Sequence, residues 1–185
     1  MADRKVKGSM LLDQVRMIRA NKDKDWDKYL KPEDWEIING RILPSMWYPL
    51  EIFQRCGLGV FNLVAGGNLD IVRARGRARG KELFGEIYKS LVADPDPLKA
   101  LDRFVLIQGQ IFSWSTLEFE KIDDKHAKMS SSYDSDDPSN KPYCYQLMGY
   151  LDQLVEMAGG KNARIELTAK QWEGDPATIF DITWE

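Results

Sequence analysis

The side chains that most often perform chemistry are few and widely separated in this chain. It contains two cysteines, Cys56 and Cys144, and one histidine, His126. Structural zinc sites use closely spaced thiolate and imidazole ligands, and neither cysteine belongs to a CxxC pair. We therefore expect no metal site. Two distant cysteines also argue against a disulfide framework and favour a reducing cytoplasm.

A catalytic group would have to be assembled around His126 or Cys144. Serines at 130–132 and aspartates at 123–124 are close to His126 in sequence. This segment is expected to form a β-hairpin, where the geometry of a Ser-His-Asp triad is hard to maintain. A thiol enzyme with Cys144 as nucleophile remains the enzymatic alternative. The favoured interpretation is a protein that is not an enzyme.

One basic cluster stands out, formed by Arg73, Arg75, Arg77, Arg79 and Lys81. Guanidinium groups bind phosphate bidentately, so a phosphate or nucleic-acid contact is one interpretation. Alternate residues spread around a helix, however, which favours a solvated face with small residues that allow close helix packing. The glycines of this region lack the spacing of a nucleotide-binding loop and follow no predicted strand.

The composition indicates an ordinary soluble globular protein. The chain has 185 residues, of which 43% are hydrophobic and 30% are charged, with a formal net charge of −3. No overall positive charge attracts it to nucleic acid, and no apolar run approaches the roughly 18 residues that span a bilayer. The N-terminal apolar patch is too short for a secretory signal. We expect a cytoplasmic protein with neither nucleic-acid nor membrane partners.

Helical periodicity dominates the first two thirds of the chain. It predicts helices over 8–21 with Ser9 as cap, over a short stretch within 21–31, and from Pro32 onward. Further helices are predicted from Ser45 to the Gly66-Gly67 stop, from Asn68 to about residue 91, and from Asp96 to about residue 112.

The period then changes from 3.6 to 2. Strands are predicted over 114–122 and 127–133 with a hairpin turn between them, and over 164–168 and 178–184. A helix from Pro142 to Gly159 separates the two strand pairs, and the polar loop over 130–142 is expected to be mobile. This order predicts an α+β fold in which N-terminal helices pack on a four-stranded antiparallel sheet of strand–strand–helix–strand–strand order.

Several short motifs occur in a characteristic order. They are Trp47-Tyr-Pro49, Gly67 to Gly76, Asp96-Pro97, Gly149, Gly159-Gly160 and Gly174 to Trp184. Together they resemble the ligand-binding superfamily of the 4-vinyl-reductase (V4R) domains and the heme-NO-binding proteins, and in particular a paralogous family found in myxobacteria. The resemblance covers residues 44–185 and implies an α+β ligand-binding domain there, with residues 1–43 as a helical extension.

The residues that would hold a metal or heme in such relatives are replaced here. Metal-binding V4R domains carry cysteines on both sides of the Gly-Asp turn, where this chain has Lys170 or Gln171, and Thr178. These are poor zinc ligands. The resemblance therefore implies no metal.

The resemblance to the heme-NO-binding branch implies that a heme would need an axial histidine on a helix and a Tyr-x-Ser-x-Arg motif for its propionates. His126 lies in the predicted hairpin, and Tyr133-Asp-Ser135 is followed by Asp136 and Asp137. Their charges would repel heme propionates. We expect no cofactor, with a heme ligated by Cys56 or Cys144 as the alternative.

Two sets of aromatic and sulfur-containing residues are candidate functional sites. The resemblance implies a ligand pocket between sheet and helices, which would be lined by Trp114, Phe119, Tyr143, Cys144, Tyr145 and Met148. Ordinary core packing is the other interpretation of these residues. The N-terminal segment has Trp26, Tyr29 and Trp35 among alternating charges, and these predict an interaction face for a protein partner or a second copy of the chain.

The sequence thus predicts a non-enzymatic signalling or regulatory domain that binds a small apolar ligand or a protein partner. The alternative is a structural interaction or dimerisation module whose pocket is filled by side chains.

Overall fold

The computed structural model describes residues 4–114, 117–133 and 136–185. Its helices are α1 (Gly8–Ala20), α2 (Pro32–Asn39), α3 (Leu50–Gly59), α4 (Leu69–Glu82), α5 (Pro97–Ile111) and α6 (Asn140–Met157). Its strands are β1 (Lys5–Lys7), β2 (Trp47–Pro49), β3 (Leu117–Asp123), β4 (His126–Ser131), β5 (Arg164–Ala169) and β6 (Thr178–Thr183). Wide helical turns over Val60–Val64 and Leu83–Ile87 extend α3 and α4.

The C-terminal half forms a four-stranded antiparallel sheet with the order β3–β4–β6–β5. Alternate residues of the central strands face inward: Ala127 pairs with Ile182 and Met129 with Phe180, and all four are fully buried. Helix α6 connects the two hairpins and contributes Leu151, Leu154 and Val155 to the same hydrophobic core. The predicted α+β fold, with its strand–strand–helix–strand–strand half, is confirmed.

The helix-capping residues Asn68 and Asp96 and the glycines that end helices lie at the predicted positions. Asn68 caps α4, since its side-chain oxygen accepts hydrogen bonds from the backbone N–H groups of Asp70 and Ile71. Asp96 caps α5 through the N–H of Lys99. Gly66, Gly67 and Gly159 adopt positive φ angles, which glycine tolerates and other residues rarely do.

Helices α4 and α6 cross in direct backbone contact. A Cβ atom on Gly76 would overlap the carbonyl oxygen of Gln146, and one on Gly149 would overlap that of Arg73. The crossing is bordered by a bidentate ion pair in which Arg73 Nε and Nη2 lie 2.7 Å and 2.8 Å from the Asp152 carboxylate oxygens. Glycine is therefore required at both positions for the two helices to approach this closely.

Three local predictions were wrong. The segment from Ser45 does not open a helix, because Trp47–Pro49 pairs as a strand with Lys5–Lys7 and the helix begins at Leu50. A residue that precedes proline, here Tyr48, is pushed toward extended conformations. Ser9 caps nothing, since α1 begins at Gly8 directly after β1. The short helix predicted within 21–31 is a single 3-10 turn, Trp26–Lys28.

The division of the chain at residue 43 stays a prediction. In the structure, β1 pairs with β2 across that position, and Leu11, Val15 and Ile18 of α1 are fully buried in the common core. The bidentate pair between Arg55 and Asp34 joins α3 to α2 at 2.6 to 2.7 Å.

Candidate functional site

A cavity of about 60 Å³ lies between α1, α3, α4 and the start of α6. Its apolar wall includes Met17 from α1, Phe53 from α3 and Val72 from α4, together with Pro142 and Tyr143 from α6. Helices α1, α3 and α6 each bury a set of apolar residues, whereas the residues that α4 buries are Gly76 and Gly80. The cavity occupies space between the helices that side chains do not fill.

Helix α3 faces α1 at a residue without a side chain. A Cβ atom on Gly57 would lie 3.0 Å from the side-chain nitrogen of Gln14, so a larger residue would displace the end of the Gln14 side chain. Gln14 and Met17 are three residues apart and therefore occupy one face of α1. The close approach brings that face to the cavity.

Two buried polar atoms at the cavity have no hydrogen-bond partner among the described residues. They are Oε1 of Gln14 and Oγ of Ser139, on side chains that are 6% and 4% exposed. A buried polar atom without a partner costs about 1 to 3 kcal/mol, so such atoms are rare in folded proteins. Both side chains belong to the wall of the cavity.

The basic cluster of α4 resolves into paired and unpaired groups. Arg73 bonds to Asp152 and Arg77 to Glu156 across the helix crossing, and Arg79 bonds to Glu82 on its own helix at 2.6 Å. These pairs fit the interpretation of the cluster as an ordinary charged helix face.

Arg75 is the exception within the cluster. In the part of the chain that the structure describes, no carboxylate lies within ion-pair distance of its guanidinium, which contacts the sulfur of Met17 and lines the cavity. Burial lowers the pKa of this guanidinium, and the nearby Asp13 opposes the shift. Arg75 is a half-buried cation at the mouth of a largely apolar space.

The space between sheet and helices, where the sequence predicted a pocket, contains a cluster of aromatic rings. Tyr143 stacks on Tyr133 with ring centroids 4.7 Å apart and meets the edges of Phe53 and Phe112 at 6.3 Å and 6.0 Å. Trp114 packs against Phe112 at 5.3 Å. Rings in edge and stacked contact are typical of a packed core.

Among the described residues, the predicted pocket residues are distributed over several parts of the structure. Tyr143 lines the cavity described above, and Trp114 belongs to the aromatic cluster. Phe119 is half-buried on β3, opposite Met129. Tyr145 and Met148 border an open groove beside β5.

Gln14, Gly57 and Arg75 line the cavity but were not predicted as site residues. A long polar residue on the apolar face of α1 was the available indication, since Gln14 precedes Val15 and lies one turn before Ile18. The alternation of arginines in α4 did not reveal which one lacks a partner, because partner choice depends on how the helices cross.

The predicted interaction face is only partly at the surface. Trp26 is 2% exposed and its indole N–H donates to the carbonyl of Asn21 at 2.7 Å, so it belongs to the core. Tyr29 and Trp35 are half-buried, and Trp35 packs against the core. A surface role for Tyr29 and Trp35 stays a prediction, whereas Trp26 offers no surface to a partner.

The potential catalytic groups are placed unfavourably for chemistry. Burial raises the pKa of the Cys56 thiol and of the Cys144 thiol to about 12, and both side chains are fully buried. His126 lies on the sheet with Nε2 2.8 Å from Asp181 Oδ1. Among the described residues, no three His, Cys, Asp or Glu side chains are grouped to hold a metal.

Comparison with known proteins identifies the architecture. No protein-family model matches the chain, and no curated protein sequence matches it. Among solved structures, an H-NOX protein from S. oneidensis is similar with a TM-score of 0.66 and 12% identity, covering 97% of this chain and 99% of that one. This chain has the H-NOX fold.

Two other solved structures give the same result. An H-NOX protein from K. algicida is similar with a TM-score of 0.67 and 12% identity, covering 97% of this chain and 96% of that one. A variant of the T. Tengcongensis H-NOX gives a TM-score of 0.62 at 16% identity, with 97% of each chain covered. Such low identities establish a shared fold, and the resemblance to V4R domains and to the myxobacterial family stays a prediction.

The H-NOX structures from S. oneidensis and K. algicida contain Fe(II), so the fit of this chain to a heme can be tested. Cofactor sites typically enclose about 300 to 1,000 Å³, whereas the cavity here measures about 60 Å³. The only histidine, His126, is on a strand and hydrogen-bonded to Asp181. The described residues do not fit a heme. Of the predicted Tyr-x-Ser segment, Asp134 and Ser135 lie outside those residues.

No helix among the described residues has both the length and the apolarity needed to cross a bilayer. The cytoplasmic location stays a prediction.

Proposed function

We propose that this protein is a ligand-binding regulatory domain that uses the H-NOX fold without a heme and without catalysis. Its ligand would occupy the cavity between α1, α3, α4 and α6. The observation that carries the proposal is the pair of buried, unpartnered polar atoms, Gln14 Oε1 and Ser139 Oγ, at a cavity with an otherwise largely apolar wall.

Support also comes from the position of the cavity. It is bounded by helices from both halves of the chain, so a bound molecule would contact α1, α4 and α6 simultaneously. Binding to the folded state alone stabilises that state by mass action. A molecule at this junction would therefore strengthen the packing of these helices, which is a physical basis for a regulatory response.

The experiment combines a thermal-shift screen of small organic molecules on the full chain with native mass spectrometry of the protein as purified. Val72→Phe is the test variant, because Val72 lines the cavity and the phenyl ring adds four carbon atoms to a space of about 60 Å³. Ile71→Phe is the matched control, since the neighbouring Ile71 is 44% exposed.

The proposal predicts molecules that raise the melting temperature of the wild type and of Ile71→Phe, with a smaller or absent effect on Val72→Phe. It is refuted if no compound changes the melting temperature of the wild type and native mass spectrometry finds no small molecule bound to the purified protein. Equal shifts in all three proteins would place binding elsewhere and would also count against it.

A second candidate is an interaction module, which one surface feature favours. Leu43, Met46 and Trp47 are close in sequence and 37%, 51% and 40% exposed, respectively. Grouped exposed apolar residues often mark protein interfaces. Light scattering of the wild type and of Met46→Asp tests this candidate: a dimer that Met46→Asp converts to a monomer would support it, and a monomeric wild type would exclude self-association.

A further inference from the structure

We propose that the cavity binds a small carboxylate, with the charged head at Arg75 and a short aliphatic body between Met17, Phe53 and Val72. This inference rests on the proposed function and specifies the class of ligand. It follows from three observations: an arginine without a carboxylate partner among the described residues, two side chains of the same cavity wall that each carry a buried polar atom without a partner, and a wall that is otherwise largely apolar.

The guanidinium of Arg75 favours an anion at the cavity. Asp13 also lines the cavity, and its carboxylate lies 3.8 Å from Nε of Arg79. Arg79 bonds to Glu82 at 2.6 Å as well, so both of these carboxylates pair with Arg79. Arg75 has no such partner among the described residues, and a carboxylate would provide one. A guanidinium matches a carboxylate with two parallel hydrogen bonds.

The buried polar groups complete the site. Ser139 has a hydroxyl hydrogen that can be donated to an anion. The Gln14 amide can turn over to present its NH₂ group in place of its oxygen, because the two orientations are nearly equivalent in shape. A carboxylate would thus accept hydrogen bonds from up to three side chains, whereas a cationic head would meet Arg75 with the same sign of charge.

The volume limits the size of the ligand. A buried water requires roughly 10 to 15 Å³ of such space, so a cavity of about 60 Å³ holds about four to six non-hydrogen atoms. Butyrate, with four carbon and two oxygen atoms, reaches the upper end of this range. Acetate leaves the apolar wall uncovered, and octanoate exceeds the space.

The test is a titration of the full-length ¹⁵N-labelled protein, followed by ¹H–¹⁵N spectra that include the side-chain amide of Gln14. The probes are butyrate, butyramide and butylamine, which share a chain length and differ in head-group charge, with acetate and octanoate for size. The variants are Arg75→Met and Arg16→Met; the latter removes the same charge from an exposed position on α1.

We expect butyrate to bind the wild type and Arg16→Met with a dissociation constant in about the millimolar range and to shift the Gln14 amide signals. Arg75→Met should raise the dissociation constant of butyrate by about tenfold to a hundredfold, because a charge-assisted hydrogen bond is lost. Butyramide should bind weakly and equally to all three proteins.

Two contrary results have different meanings. If butyramide or butylamine binds as well as butyrate, or if Arg75→Met binds butyrate like the wild type, the carboxylate inference is wrong while the proposed cavity function survives. If none of the five probes binds the wild type, both are wrong for ligands of this size. Tighter binding of octanoate than of butyrate would overturn the size argument.

Discussion

The crossing of α4 and α6 gives the most specific prediction about stability. Gly149→Ala places a methyl group where it would overlap the carbonyl oxygen of Arg73 and lie 2.6 Å from the amide nitrogen of Arg77. Both are backbone atoms of α4, so no side chain can move aside. The two helices would have to separate, and the Arg73–Asp152 pair at 2.7 Å would be distorted.

The magnitude follows from two opposing effects. Overpacking a tight core contact costs up to about 3 kcal/mol, occasionally more. Replacing glycine by alanine within a helix returns up to about 1 kcal/mol. The net loss should be about 2 kcal/mol, which lowers the melting temperature of a chain of this size by about 4 to 8 °C.

The assay is thermal unfolding followed by circular dichroism, with Gly109→Ala as a matched control. Gly109 lies within α5 and an added Cβ would meet no atom within 4 Å. The same chemical change should therefore raise the melting temperature there by up to about 2 to 4 °C. The reasoning fails if Gly149→Ala is as stable as the wild type, or if both variants shift in the same direction.

Other predictions concern charges and thiols. Arg73→Ala should cost about 2 to 3 kcal/mol in urea unfolding, since it leaves the buried carboxylate of Asp152 unpaired; a loss under about 0.5 kcal/mol would contradict this. Burial, the largest single effect, disfavours ionised Asp34, but the hydrogen bonds and positive charge of Arg55 and the backbone N–H of Lys31 together outweigh it and hold the pKa below its ordinary value. The ion pair therefore stabilises the fold above about pH 4, and this contribution is lost as the pH falls through the pKa of Asp34 in the folded state. In Asp34→Asn the free energy of unfolding should fall less steeply with decreasing pH than in the wild type, and an unchanged slope would count against the pair. Cys144 should resist thiol reagents at pH 8 until denaturant is added, because only about one thiol in ten thousand is ionised when its pKa is about 12; rapid native-state labelling that Cys144→Ala abolishes would reopen the thiol-enzyme alternative.

Most of the architecture could be predicted because it depends on local patterns. The alternation of β4 and β6, the caps at Asn68 and Asp96, and the glycine stop after α6 are each encoded within a few neighbouring residues. The strand at Trp47–Pro49 could not be predicted in this way, because its partner β1 lies about forty residues earlier and only the pairing makes it a strand.

The site was much harder to predict, for a physical reason. Tyr143, Cys144 and Tyr145 are consecutive on a helix, so their side chains point in directions about 100° apart. Accordingly, Tyr143 lines the cavity, Cys144 lies in the core and Tyr145 borders an outer groove. A cavity of this kind arises where four packed helices do not fill the space between them, so it cannot be predicted from any single segment of the sequence.

Helix α4 itself has an uncommon dependence on its neighbour. The residues it buries are Gly76 and Gly80, and glycine both lowers helix propensity and offers no apolar side chain. An excised peptide of this segment should be a random coil, and its order in the intact protein is conditional on α6 and on the ion pairs between them. Val72 and Arg75 belong to this helix, so a ligand in the cavity would contact a segment that is not helical on its own. Slower amide hydrogen exchange along residues 69–82 should therefore be an early sign of ligand binding.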